Sequence, residues 1–341
     1  MLTEDLPFPG EAFLKKVIRE KVPKYVLRHV LRNEGGFSED ELREAINNPE
    51  EVLFTLGYDK VRELSDNYFA SLPKYSVFLF ELKSLPFTDI DDLMNCLESK
   101  KLKDKLYKNI KISRITRSPK IRLVYYNKSY NRLQMMFLIR GKKRVEVDPR
   151  GKLVVRYSLV KSIVTLGPET IANVRINGNF NQAVHSLRKS LEILNRKAKF
   201  IPIRFKDLEF VKKVLEFVDR LGYLTLEFLG PGLGKVSYSG RRGRNIYISD
   251  LRRLDEVRNK IILAFQRGYI TRMHGILRVD NPLYDDKVNF GINFRENKLY
   301  VFGKTCEYSY IYLINSLYQI WRGVFDEYKA RKGTLLDFIS G

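Results

Sequence analysis

The apolar positions of the first hundred residues recur at helical spacing. Phe13, Leu14, Val17 and Ile18 mark one amphipathic helix. Val26, Leu27, Val30 and Leu31 mark a second, with Pro23 in its first turn and Gly35-Gly36 stopping it. Ser38 with Glu41 three residues on is a capping-box pattern that opens a third. Thr88 precedes Asp89, Asp91 and Asp92, which puts negative charge at the start of a helix running to about Lys100. Between these, residues 75–83 read as a strand.

Beyond residue 105 the period changes to two. Segments 110–115, 121–126, 133–140, 144–147 and 153–157 read as short strands. Ser118-Pro119, Asn127-Lys128, Gly141-Lys142 and Pro149-Arg150-Gly151 supply turn chemistry between them. A helix over 180–197 follows, with Ala183, Leu187, Leu191 and Leu194 on one side. The scheme then recurs. A strand at 200–204 leads to a helix opened by Asp207, strands at 223–229, 236–238 and 245–248, and a helix over 251–267. Strands at 275–279, 288–294 and 298–302 are capped by a helix over 308–329. The pattern predicts an α+β fold: a helical N-terminal domain followed by antiparallel sheets with helices packed on one face. The expected division is an acidic helical interaction domain (1–104), a basic meander with one helix (105–198) and a basic α+β domain ending in a long helix (199–341).

Charge sharpens this division. The 341 residues carry a net charge of +22. Residues 1–100 hold 13 Lys+Arg against 19 Asp+Glu, residues 101–161 hold 19 against 3, and the remainder 30 against 18. A chain this far from neutrality repels itself unless a polyanion screens it, so nucleic acid is the expected partner. No apolar run reaches the roughly 20 residues of a membrane helix, and the acidic N-terminus lacks the apolar stretch of a secretory signal. Cys96 and Cys306 cannot build a disulfide framework, which fits an intracellular, reducing compartment. Scarce Gln, Cys and Met beside plentiful Lys, Arg, Ile and Tyr give a thermophile-like balance.

Two basic constellations are candidate backbone contacts. The first is the meander: Lys111, Arg114, Arg117, Lys120 and Arg122 on neighbouring strands, then Arg140, Lys142, Lys143 and Arg144 at an expected hairpin tip. Tyr125, Tyr126, Tyr130 and Tyr157 lie between them as possible stacking platforms. The second is the loop Ser239-Gly240-Arg241-Arg242-Gly243-Arg244-Asn245, followed by Arg252 and Arg253. Its glycines allow close approach, and its arginines offer bidentate forks. For each constellation the bland alternative is a solvated surface.

Other chemistry is poorly supported. Gly230-Pro231-Gly232-Leu233-Gly234-Lys235-Val236-Ser237 departs from a phosphate loop, because Val236 stands where Ser or Thr must follow the lysine. His29, His185 and His274 lack metal-ligand spacing, so no metal or cofactor is expected. Asp66, followed by Glu81-x-Lys83 on a strand, is similar to the core of restriction-like nucleases. That resemblance implies carboxylates on Mg²⁺ and a lysine that positions water. Size, charge and layout resemble the large subunits of archaeal CRISPR interference complexes, and also kinetochore proteins with a helical N-terminal domain; no motif carries either likeness. The sequence therefore points to a non-catalytic nucleic-acid-binding subunit. Its N-terminal helices and C-terminal aromatic helix (Tyr308, Tyr310, Tyr312, Tyr318, Trp321) would meet other proteins. A Mg-dependent nuclease and a structural scaffold are the alternatives.

Overall fold

The computed structural model describes residues 9–71, 74–147, 149–197, 199–229, 234–242, 246–247, 250–280 and 286–339. The chain is α+β and divides into two compact units, Met1–Pro202 and Ile203–Gly341. The expected boundary at 104 falls inside the first unit, and the one at 198 lies four residues from the observed division.

The first unit opens with five helices: α1 (Glu11–Lys21), α2 (Lys24–Asn33), α3 (Glu39–Ala45), α4 (Pro49–Thr55) and α5 (Tyr58–Tyr68). The α3 start has the expected reciprocal cap, with Ser38 and Glu41 each bonding the other's backbone N–H. Pro49 opens α4 at its first turn, where a missing N–H costs nothing. Strand β1 (Lys74–Leu82) follows, then α6 (Ile90–Ser99), whose N-cap Asp89 accepts from the Asp92 N–H. The rest of the unit is β2 (Lys120–Asn127), β3 (Arg132–Val147), β4 (Leu153–Leu166), β5 (Ile171–Ile176), α7 (Phe180–Ile193) and β6 (Phe200–Pro202). Its sheet runs in the order β2-β3-β4-β5-β1, and β6 pairs with β1. Phe78 and Phe80 of β1, Met135 and Phe137 of β3, Val164 of β4 and Val174 of β5 share a core with Leu187 and Leu191 of α7.

Asp66 fastens α5 to the sheet. Its buried carboxylate accepts from Tyr125 Oη at 2.5 Å, Ser129 Oγ at 2.8 Å and the Ser129 N–H at 3.1 Å, while its carbonyl accepts from Asn127 Nδ2 at 2.7 Å. Phe69 stacks on Tyr125 with ring centroids 4.1 Å apart.

Three sequence expectations change here. Residues 110–115 are not a strand; the segment runs irregularly beside β2, held by Ile110 N–H to the Arg122 carbonyl and Arg140 N–H to the Thr116 carbonyl. Gly141-Lys142 is not a turn, because β3 continues through it. The register shifts between Arg140 and Lys143, which absorbs the extra residue as a bulge. A Cβ on Gly141 would sit 2.3 Å from Ser158 Oγ, so glycine is what lets the strands close there. The 153–157 strand extends to Leu166, and β5 follows it unanticipated.

The second unit contains α8 (Leu208–Phe217), β7 (Arg220–Phe228), β8 (Lys235–Ser239), β9 (Arg241–Arg242), β10 (Ile246–Tyr247), α9 (Asp255–Arg267), β11 (Gly268–Val279), β12 (Asp286–Asn293), β13 (Lys298–Phe302) and α10 (Glu307–Ile339). Its main sheet runs β13-β12-β11-β7-β8, all antiparallel, and β9 pairs separately with β10. Helix α9 lies on β7 and β11, and α10 on β11, β12 and α8. Asp207 caps α8 as expected, accepting from the Glu209 and Phe210 N–H groups.

Candidate nucleic-acid interface

In the first unit the long hairpin outgrows its sheet. β3 is bonded to β2 only from Arg132 to Leu138, and β4 to β5 only from Ser162 onward. Beyond those limits β3 and β4 pair with each other alone, from Arg140↔Leu159 to Val147↔Leu153. The result is a two-stranded arm of roughly 25 Å at 3.3 Å per residue. Strand alternation gives the arm two different faces. Val145, Val147, Leu153, Val155 and Tyr157 share one, each 47% to 74% exposed, with Lys143 at its base. Arg144, Glu146, Val154 and Arg156 share the other.

The cations at the foot of the arm come together through backbone contacts. The Arg140–Thr116 hydrogen bond, 2.7 Å, lays the irregular segment carrying Lys111, Arg114 and Arg117 beside β3. Lys120 sits opposite Leu138, two residues before Arg140. Arg140 stacks over the Tyr157 ring, 4.6 Å from its centroid, so this tyrosine already has a cation on one face.

Several cations of the acidic region are paired. Lys15 bridges Glu11 and Glu51, Lys60 bridges Glu34 and Glu63, and Arg32 and Arg43 pair with Glu39 and Asp40. Among the described residues, Lys111, Arg114, Arg117, Lys120, Arg140, Lys142, Lys143 and Arg144 make no ion pair. On the arm's shaft Arg156 meets a carboxylate, Glu146 at 3.5 Å.

Arg117, Arg140 and Lys142 also line a cleft of 730 Å³ at the arm's foot, facing Asn177, Asn179 and Gln182 from the start of α7. Sequence reading missed these amides. The signal was the Asn-Gly-Asn run before an amphipathic helix, which reads only as a turn and a cap.

Two sequence candidates have other duties. Arg122 is half-buried and donates to the Ile110 carbonyl at 2.8 Å, which ties the irregular segment to β2. Arg252 is spent inside the second unit. It forks onto both Asp250 oxygens and donates to the Leu215 and Asp219 carbonyls at 2.7 and 2.9 Å. Its guanidinium is thus committed within the unit. Asp250 is costly to bury, but the bonds from Arg252 and from the Leu221 N–H hold its carboxyl below the usual range.

Arg253 behaves differently from its neighbour. It is exposed and lines a 420 Å³ cleft with Arg220, Arg278 and Lys287. The Asp219 carboxylate in that cleft accepts the Arg278 N–H at 2.6 Å. The cleft lies at the start of β7, where Tyr223 pairs with Ser239 at the end of β8. Within the residue 239–245 loop, the side chains of Arg241 and Arg242 and the whole of Arg244 lie outside the described residues, as do Gly230, Pro231 and Gly232.

The nuclease candidates do not converge. Asp66 is bonded to β2 and its turn, whereas Glu81 is on β1, four strand spacings away in the sheet order. That is roughly 19 Å along the sheet. Burial outweighs the bonds from Tyr125 and Ser129 and raises the Asp66 carboxyl above its usual range. Lys83 is exposed at the end of β1, where its N–H meets the Lys199 carbonyl. Among the described residues, no group of three or more His, Cys, Asp or Glu side chains is placed to hold a metal ion. Nor is any described helix long and apolar enough to cross a membrane. On α10, Tyr310 and Trp321 are core residues, while Tyr308 and Tyr312 are exposed one turn apart.

No family model matches the sequence, and no curated protein matches it.

Proposed function

We propose that the protein binds the backbone of a nucleic acid, without catalysis, through the β3–β4 arm and the cations at its foot. One observation carries this reading: among the described residues, eight cations on one arm and its foot make no ion pair, whereas Lys15, Arg32, Arg43 and Lys60 of the acidic helices pair with carboxylates. Like charges held together without carboxylates repel, and a phosphate backbone relieves that repulsion while releasing counterions. A two-stranded ribbon also has the width that a duplex major groove admits. In the second unit, Arg253, Arg278 and Lys287 extend the same chemistry.

Protein partners are the second part of the proposal. Tyr308 and Tyr312, and the acidic helices α3 and α4, are the surfaces for them. An intracellular setting is supported by two free thiols, Cys96 and Cys306. The nuclease alternative loses support because Asp66 is committed to Tyr125 and Ser129 far from Glu81. A Mg²⁺-dependent cleavage assay with Glu81→Ala checks it, and cleavage lost in that variant would restore it.

The direct test is an electrophoretic shift panel of single-stranded DNA, duplex DNA and RNA, with wild type beside a Lys142→Ala/Lys143→Ala/Arg144→Ala variant. At least one polymer is expected to shift with wild type and to need more of the variant. No shift with any polymer contradicts the reading.

A further inference from the structure

The cleft at the foot of the arm differs from the rest of the basic surface in what it offers. Arg117, Arg140 and Lys142 supply three cations, and no carboxylate lines it. The three amides have their oxygens already in use. The Asn177 oxygen accepts the Lys161 N–H at 2.6 Å, the Asn179 oxygen accepts the Gln182 N–H at 3.0 Å, and the Gln182 oxygen accepts the Asn179 N–H at 3.1 Å. A main-chain N–H can only donate, so each amide must present its oxygen to it and keep its NH₂ for other partners. Arg140 Nε is buried without a hydrogen-bond partner. The three cations and the three NH₂ groups thus make these six residues rich in donors.

Ser158, Asn181 and His185 complete the polar lining, and a concave, cationic, donor-rich site without a carboxylate selects an anion with several acceptor oxygens. Its 730 Å³ lies within the roughly 300–1,000 Å³ of small-molecule sites, which is more than a bare phosphate needs. We propose that this cleft is a phosphate site sized for one nucleotide, holding either a terminal phosphomonoester or an internal phosphodiester of the bound strand. The inference rests on the nucleic-acid reading and adds a discrete pocket to the diffuse charge of the arm.

Two conservative substitutions isolate it. Asn177→Asp and Gln182→Glu each keep the oxygen that accepts the main-chain N–H, so the local fold is preserved. Each replaces an NH₂ donor with a carboxylate oxygen facing the anion. Calorimetric titrations of wild type with adenosine monophosphate, adenosine and inorganic phosphate, repeated on the Asn177→Asp/Gln182→Glu variant, test the site. The monophosphate is expected to bind at least about tenfold more tightly than adenosine, and the variant to lose at least about tenfold in monophosphate affinity. Its thermal midpoint should be unchanged. Adenosine and the monophosphate binding alike, neither binding, or a variant as good as wild type each overturn the proposal.

Oligonucleotides with 5′-hydroxyl and 5′-phosphate ends then distinguish the sources. A preference for the phosphorylated end, lost in the variant, assigns a phosphomonoester. Equal wild-type affinities that both fall in the variant assign an internal phosphodiester. Salt-sensitive oligonucleotide binding that is unaltered by the variant sinks the pocket and leaves the arm reading standing. Absence of oligonucleotide binding by wild type sinks both.

Discussion

Arg252 and Arg253 are adjacent cations with opposite accounts of themselves. Arg252 neutralises Asp250 and satisfies two carbonyls, whereas Arg253 is exposed in a cleft. Arg252→Ala should leave the Asp250 carboxylate and those carbonyls short of donors, at about 1–3 kcal/mol for a partly buried group. Denaturant melts should show that loss while oligonucleotide affinity holds; an affinity loss without destabilisation would return Arg252 to the interface. Asp66 makes a parallel case. Asp66→Ala orphans the Tyr125 hydroxyl and both Ser129 donors, so it should destabilise by about 1–3 kcal/mol or more. The pH dependence has a definite sign. The folded carboxyl holds its proton above the ordinary range because it is buried. Its contribution to stability is thus greatest below the unfolded pKa and declines as pH rises through the folded one. Asp66→Asn should flatten stability against pH over that acid window, and an unchanged slope would contradict the assignment.

At the scale of elements, the arm is separable from the core. Its shaft between Lys143 and Tyr157 is exposed on both faces and contributes nothing to the buried cluster. Excising residues 143–157 and rejoining the strands through an Asn-Gly turn should leave the thermal midpoint within a few degrees and weaken nucleic-acid binding. A collapsed fold would show that the arm has a structural duty. The sequence made its strands readable through alternation, as at Lys120–Asn127, and its caps through Ser38/Glu41 and Asp207. It concealed the arm because glycine marks both turns and bulges, so Gly141-Lys142 read as a hairpin tip. Strand β5 was hidden for another reason. Asn173 and Arg175 alternate with apolar residues as on a wet strand, yet all six residues are buried. Likewise the cleft draws residues from four separated segments, and no spacing rule links Arg117 to Asn177.

For the whole molecule the governing fact is the partition of charge. Within the first hundred residues Glu11, Glu34, Glu39, Asp40, Glu50, Glu51 and Glu63 pair with cations of that same stretch rather than with the arm. The excess was legible from composition alone; its freedom from ion pairs needed coordinates. A surface of this kind must show itself thermodynamically, since each contacted phosphate releases counterion. Association constants measured across a salt series report the number of contacts, at roughly 0.9 per phosphate on duplex and 0.7 on single strands in the log–log slope. The most direct measurement is that slope for wild type and for Lys142→Ala/Lys143→Ala/Arg144→Ala on the polymer that binds best. A steep wild-type slope is expected, made shallower by about 2–3 in the variant. A wild-type affinity indifferent to salt, or a slope the variant leaves untouched, would contradict it.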